Sequence, residues 1–387
     1  MRILVLGYIV RGPLAGHTWH HLQYALGLAR MGHDVYFLED SDDFESCYDP
    51  VTHEMTSDPR FGLAYARKVF GHGELAERWA YYDAHTTTWH GPTSPRAGEL
   101  CRTADLCLNV SGVNPLREWH MPIPVRVLID TDPAFTQVRH LTDPTAMQAA
   151  LRHNVFLTFG ENVAREGCTI PADGLPWKPT RQPIVLDAWP VTRGRADGNF
   201  STMMQWQSYP ELRHEGRTYG PKSLSFPAYF ELPAKVSDRL EVAIGGESAP
   251  RDRLREAGWI VSDPMKPSKD PWIYQRFILR SKAEFTVAKQ AYVSTASGWF
   301  SDRSAEYLAC GRPVVTQETG FSRWLETGKG LMAFDSLEEA ALGMERISRD
   351  YERHCRAARL LAEEYFDARR VLSSLLANAT VTMSTTA

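Results

Sequence analysis

The chain is short of the features that mark most specialised protein classes. It has six cysteines in 387 residues, Cys47, Cys101, Cys107, Cys168, Cys310 and Cys355, and no two of them form a Cys-x-x-Cys pair. Such spacing excludes a disulfide-stapled scaffold and predicts reduced thiols in a cytoplasmic protein. No stretch reaches the ~18 apolar residues of a membrane span. The opening Met1-Arg-Ile-Leu-Val-Leu-Gly7 is too short an apolar run for a signal peptide. Neither sign of charge dominates: 43 Lys and Arg against 47 Asp and Glu leave −4, so no polyanion groove and no nucleic-acid partner is implied. Internal repeats and low-complexity tracts are missing, which excludes solenoids and arrays. The first loop lacks Gly-x-Gly-x-x-Gly, which argues against a dinucleotide-dependent dehydrogenase.

What is present is an ordinary globular composition, 43% hydrophobic and 23% charged, long enough for two domains of roughly 150 residues each. The opening reads as strand (Ile3–Leu6), glycine-bearing loop (Gly7–Gly16), helix (His17–Met31) and strand (Val35–Leu38), with Gly32 ending the helix. That is one βαβ unit, whose strands are expected parallel and buried. Further strands are predicted at Leu106–Val110, Val125–Ile129 and Val155–Phe159, and residues 41–100 read as helices and loops. A proline-punctuated segment, Pro171–Pro190, has the composition of a linker. Beyond it the alternation restarts. Strands are predicted at Phe200–Met204, Leu240–Ile244, Trp259–Val261, Phe285–Ala288 and Pro313–Thr316. Helices are predicted at Asp252–Ala257, Trp272–Ser281, Ser304–Ala309, Leu337–Tyr351 and Arg356–Leu376. Gly311 sits where a helix takes a left-handed final glycine. The pattern is two successive α/β halves.

The most informative stretch runs from Ser297 to Val315, SGWFSDRSAEYLACGRPVV. Ser301 is a candidate N-cap, with Asp302, Arg303 and Ser304 in the first helical turn. Free N–H groups, the positive helix end and Arg303 together make a ready anion site. Glu306, one turn in, is placed to accept from ribose hydroxyls. The following strand ends in Gln317-Glu-Thr319-Gly320, at the sheet edge where ligands of open α/β folds bind. A capped helix with surface charges is the plain alternative.

Glu306-Tyr-Leu-Ala-Cys-Gly-Arg-Pro-Val-Val resembles the E-A-x-A-x-G-x-P-V-V signature of nucleotide-sugar-dependent glycosyltransferases of the two-Rossmann-domain (GT-B) type, the group 1-like C-terminal domain. The Thr-Gly turn, Gly328-Lys-Gly-Leu-Met and Leu337-Glu-Glu-Ala follow as in that family. The resemblance covers about 80 residues and implies a GT-B fold. Residues 1–175 would be a Rossmann-like acceptor domain and residues 176–345 a Rossmann-like donor domain, with C-terminal helices at 346–387 packing back toward the N-domain. It implies transfer of a sugar from a nucleotide diphosphate sugar, a uridine one being the expectation, to a hydroxyl or amine of a small-molecule, glycan or lipid-linked acceptor, with the donor as co-substrate and no cofactor or metal. Glu306 matches the second glutamate of the family's E-x7-E pair; the first falls at Gly298, a departure from the pattern. Ser301, Asp302, Arg303 and Ser304 match the diphosphate region. Lys222, in Tyr219-Gly-Pro-Lys, matches the phosphate-binding lysine imperfectly, and Lys289 is a further cationic candidate. For both lysines the competing reading is a solvated surface side chain. A nucleotide-sugar 2-epimerase on the same fold and a non-catalytic sugar-nucleotide-binding protein are the alternatives.

Gly12-Pro-Leu-Ala-Gly-His17 is similar to the Gly-His turn of inverting GT-B enzymes, in which the histidine deprotonates the acceptor. Histidine suits that task near neutral pH. Asp132, Asp130 and Asp105 are the candidate partner carboxylates, Asp132 being paired with His17 as the expected catalytic couple. His17, His20 and His21 share a helix face, but the third or fourth ligand a metal site needs cannot be placed. Asp130-Thr-Asp132 spells the D-x-D of metal-dependent single-domain glycosyltransferases; two α/β halves argue for an acceptor-side role instead.

Overall fold

The computed structural model describes residues 1–71 and 73–384. Two parallel sheets dominate it. The first contains β1 (Arg2–Leu6), β2 (Asp34–Asp40), β3 (Trp79–Asp83), β4 (Thr88–His90), β5 (Leu106–Val110), β6 (Val125–Asp130), β7 (Val155–Thr158) and β8 (Lys178–Pro179), in the order β8-β7-β6-β5-β1-β2-β3-β4. Only the β3–β4 pair is antiparallel. The second contains β9 (Phe200–Gln205), β10 (Leu240–Gly245), β11 (Ile260–Ser262), β12 (Ala283–Thr286), β13 (Val314–Gln317) and β14 (Leu331–Phe334), in the order β11-β10-β9-β12-β13-β14, all parallel. Each sheet reverses direction of growth beside its first strand, between β1 and β5 and between β9 and β12. Ligands of open α/β sheets bind at such points, outside the carboxyl ends of the strands.

The strands form where apolar runs are continuous, because both faces of these sheets are covered. Ile3, Leu4 and Val5 are fully buried, as are Val314, Val315 and Leu331. Residues 41–100 depart from expectation. Trp79–Asp83 joins the first sheet beside β2, and Thr88–His90 closes its edge. The aromatic run Trp79-Ala-Tyr-Tyr is strand-forming, but Gly and polar neighbours hid it. The first sheet also takes in Lys178–Pro179, so the crossing between halves begins after Pro179 rather than at 175.

Six helices matter for the site: α1 (Ala15–Arg30), α2 (Pro271–Arg280), α3 (Asp302–Ala309), α4 (Leu337–Arg349), α5 (Tyr351–Tyr365) and α6 (Ala368–Ser384). Gly311, φ +68°, terminates α3 in the left-handed conformation. The helix predicted at Arg356–Leu376 is two helices, broken where Asp367 bridges to Ile184. α4 packs on β13 and β14, and α5 on α3, while α6 lies against α1 of the first half. Gly27 permits that last contact: a Cβ there would come within 2.5 Å of Leu372. One buried cluster consequently runs through both halves, from Ile3 and Tyr24 to Tyr307, Leu361 and Leu372. A second fills the far side of the second sheet around Phe200, Phe285 and Trp259. No helix among the described residues is long and apolar enough to cross a membrane.

Candidate active site in the interdomain cleft

The carboxyl ends of the two sheets face each other, and the first loop lines one wall. Its conformation is set from within. Glu39, on β2, has no exposed side-chain surface, and it accepts from the backbone N–H groups of Ile9 (2.7 Å), Val10 (2.8 Å) and Arg11 (2.7 Å). Burial pushes its carboxyl upward, opposed by the Arg11 guanidinium at 3.7 Å and those three bonds. Backbone N–H groups that could cradle a phosphate are thus filled by the protein's own carboxylate. An acid ending an apolar strand, Leu38-Glu39-Asp40, was the available signal for this role.

Beyond that loop, Gly12 is required by its neighbours. A Cβ there would lie 2.1 Å from the Tyr8 ring and 3.1 Å from His17 Nδ1. Tyr8 and His17 meet edge to face at 5.6 Å. His17 is exposed, as befits a residue on a cleft wall. Desolvation by the surrounding protein pushes its pKa below the ordinary histidine value, with His20 adding to the effect and Asp302 opposing it.

No carboxylate among the candidates bonds to His17. Asp105 accepts from the Arg2 backbone N–H. Asp130 is buried and accepts from Thr136, Gln137 and Thr158. Asp132 reaches across the cleft to the Lys289 ammonium at 2.7 and 2.9 Å and to the Tyr292 hydroxyl. The expected His17–Asp132 pairing is therefore corrected: the opposite domain's cation outcompetes a neutral imidazole for that carboxylate. Lys289 is corrected with it. Its charge is neutralised by Asp132, and its ammonium sits over the rings of Tyr209 (4.2 Å), Phe135 (5.1 Å) and Tyr292 (5.4 Å), an interdomain clamp rather than a free phosphate ligand.

The opposite wall is the N-terminus of α3. Ser301 is the N-cap residue, but its hydroxyl caps no backbone N–H; the Arg303 N–H goes to the Asp302 carboxylate, and the remaining first-turn donors are left unspent by the cap. The Ser304 hydroxyl is buried without a partner. Asp302 bonds to His20. Arg303 is held in place by Glu284 Oε1 (2.6 Å), Met203 O (2.7 Å) and Thr286 Oγ1 (2.7 Å). Lys222, just after the hairpin that follows β9, faces the charges of Arg303, Glu284, Lys289 and Asp302, yet has no hydrogen bond or ion pair among the described residues. Burial, then Arg303, pushes its pKa well below the ordinary lysine value. A half-buried lysine with no ion-pair partner among the described residues, beside an arginine matched by Glu284 and a helix end that its N-cap side chain leaves uncapped, is a place for an anion.

Glu306 is not at that surface. It is 1% exposed and accepts from the Tyr274 hydroxyl (2.8 Å) and Gln23 Nε2 (3.3 Å). Burial, with Asp302 adding, pushes its carboxyl well above the usual range. The expectation that it accepts from an open ribose is corrected: its oxygens lace α3 to α1 and α2. Gln317 is also spent within the fold, accepting from Ala288 N and reaching Tyr229. Thr319 donates to Trp299 O, and Gly320, φ +90°, turns the loop. Gly298 is explained by its surroundings. Its φ is +76°, and a Cβ would fall 2.8 Å from the Asn162 side chain. Asn162, from the first half, donates to Ala296 O and Gly320 O, so the space of a glutamate at 298 is taken by an interdomain contact.

No protein-family model matches the sequence, and no curated protein does. Solved structures match over nearly the whole chain. An alpha-glucosyltransferase in complex with UDP is similar at TM-score 0.58 and 11% identity, covering 98% of this chain and 100% of that one. A sucrose-phosphate synthase from Thermosynechococcus elongatus is similar at TM-score 0.55 and 12% identity, with full coverage of both chains. Anabaena HepE in complex with UDP-glucose is similar at TM-score 0.55 and 12% identity, covering 97% of this chain and 99% of that one. Two parallel sheets facing across a cleft, over the full length of these enzymes, give this chain the GT-B fold.

Proposed function

We propose that the protein transfers a glycosyl group from a nucleotide diphosphate sugar to a hydroxyl or amine acceptor. The observation that carries this reading is Lys222, which has no ion-pair partner among the described residues and lies beside Arg303 and the uncapped start of α3. A donor diphosphate fits that charge. As the sugar–phosphate bond breaks, negative charge grows on the leaving oxygen, and fixed donors already in place stabilise it at no reorganisation cost. Lys222 and the helix N-terminus supply this positive charge themselves, so the reading includes transfer without a metal. The plugged first loop leaves the N-terminal wall to the acceptor. There His17, exposed and kept neutral, takes the acceptor proton while the oxygen attacks the anomeric carbon from the opposite face, which inverts the centre.

The test is calorimetric titration of the purified protein with uridine, UDP and UDP-glucose, followed by turnover with and without a panel of alcohols and amines. Binding of UDP well above uridine, and sugar release that requires an acceptor and persists in EDTA, is the expected result. Equal affinity for uridine and UDP would remove the diphosphate site. Donor consumption to an epimer without any acceptor would place the enzyme in the 2-epimerase class.

A further inference from the structure

His20 lies one turn beyond His17 on α1, and its ring spans the cleft. On one side its Nε2 lies 3.2 Å from the Ser111 hydroxyl, which itself accepts from Thr131 at 2.8 Å. On the other its Nδ1 lies 3.2 Å from Asp302 Oδ2. Ser111 ends β5 in a left-handed conformation, φ +62°, where the first sheet reverses. The set has one consistent neutral arrangement. Thr131 donates to Ser111, Ser111 donates to Nε2, and Nδ1–H donates to Asp302. The ring is 11% exposed and the carboxylate 34%, so the contact is sheltered yet open to the cleft.

Asp302 sits awkwardly for a donor-binding turn. Burial raises its pKa, but the His20 hydrogen bond and the Arg303 charge outweigh burial and hold it below the usual carboxylate range. It is therefore ionised in the first turn of the helix whose N-terminus would receive a diphosphate. Two like charges cannot share that turn without compensation. Arg303 is already matched by Glu284, and Glu306, four residues along α3, is bonded to Tyr274 and Gln23. His17 and His21 flank the ring on its own helix, the latter with Nδ1 bonded to the His17 carbonyl. The Tyr24 and Phe159 rings close its edges. The charge of Lys222 also reaches Asp302, but Lys222 does not pair with it; the side chain that touches Asp302 and offers it a ring N–H is His20.

Resting on the donor site proposed above, we infer that His20 and Asp302 form a proton-linked clasp between the domains. Arrival of a nucleoside diphosphate at the start of α3 is accompanied by uptake of a proton on His20. The ring then carries two donors and a positive charge. The hydrogen bond to Asp302 becomes an ion pair, the carboxylate is neutralised against the diphosphate, and α1 is drawn onto the donor helix. His17 shares that helix, so donor binding sets the distance between the proton acceptor and the leaving group. A positive charge one turn away also keeps His17 neutral, the state a base needs. His20 is thus a positioning residue that acts through His17.

Calorimetry of the full-length protein with UDP, and separately with inorganic pyrophosphate, in buffers of different ionisation enthalpy near neutral pH measures the proton count. The expected result is net uptake approaching one proton, with UDP affinity weakening as pH rises by at most tenfold per unit, the limit for one proton. His20→Gln keeps the hydrogen-bonding shape, binds UDP and shows no uptake. Asp302→Asn also loses the uptake, and its UDP affinity becomes flat with pH. His17→Ala retains both uptake and slope. Buffer-independent heats in the unmodified protein, or uptake that survives His20→Gln, overturn the clasp while leaving the donor site standing. No binding heat with either UDP or pyrophosphate overturns the donor site, and the clasp with it.

Discussion

Replacing Lys222 with methionine tests the donor site through two effects of opposite sign. In the ligand-free protein Lys222 is a cation held near Arg303 without a partner, and its pKa is driven down by burial and by that neighbour. A lysine depressed in the folded state binds fewer protons there than in the unfolded chain, so stability rises with pH through the interval between the two pKa values. Below that interval, neutral pH included where the charge is retained, the ammonium costs stability. Methionine keeps the stem and removes the charge, so the ligand-free variant should melt no lower than the original and should lose part of its stability gain at alkaline pH. Binding moves the other way. A hydrogen bond to a charged group contributes about 1.5–3 kcal/mol, so UDP affinity should fall about ten- to hundredfold, while uridine affinity is little changed. Differential scanning calorimetry gives the first result and titration calorimetry the second. A lower melting temperature together with equal losses for uridine and UDP would show that Lys222 supports the loop after β9 rather than an anion, and would refute the donor site.

Three further outcomes are expected. His17→Ala should reduce turnover about 10²–10⁴-fold with UDP affinity preserved, and the activity of the unmodified enzyme should persist somewhat below the ordinary histidine pKa before falling, since His17 is depressed; unchanged turnover in the variant sinks the assignment. His120 and His153 are both pushed down to about 4, in each case chiefly by burial. The unfolded chain then binds more protons between about pH 6.5 and 4, so stability should drop across that window, by about 3 kcal/mol per histidine at the low end; urea titrations of His153→Gln showing the same acid slope would contradict this. Gly298→Glu, which restores the E-x7-E spacing, should destabilise the protein by about 2–4 kcal/mol through a strained φ and collision with Asn162, and thermal unfolding reads it directly.

Strand and helix positions were readable where one physical signal dominated. The apolar runs at Ile3–Leu6, Leu106–Val110 and Leu240–Ile244 became parallel strands because both their faces are covered. The glycine after α3 took the left-handed turn that its sequence position required. What stayed hidden involves partners distant in sequence. Nothing local distinguishes an Asp132 bound to His17 from one bound to Lys289, 157 residues away. Glu306 looks open in a helical projection, and only the approach of Gln23 and Tyr274 closes it. Gly298 reads as a missing glutamate in the sequence, whereas in the fold it makes room for Asn162. His20 was passed over because its carboxylate belongs to the other domain.

The return of α6 to α1 has a consequence for how the chain is made. Helix Ala15–Arg30 leaves the ribosome long before residues 368–384 and cannot complete its packing until they arrive, because Gly27, Leu372 and Ala368 share one contact. The N-terminal half emerges as an unfinished layer with an apolar flank awaiting its cover. Nascent chains stalled before residue 368 should therefore stay protease-sensitive along that flank, and a fragment holding the first half alone should need α6 supplied in trans to become soluble. The two halves are in this sense one folding unit, although they are two in architecture.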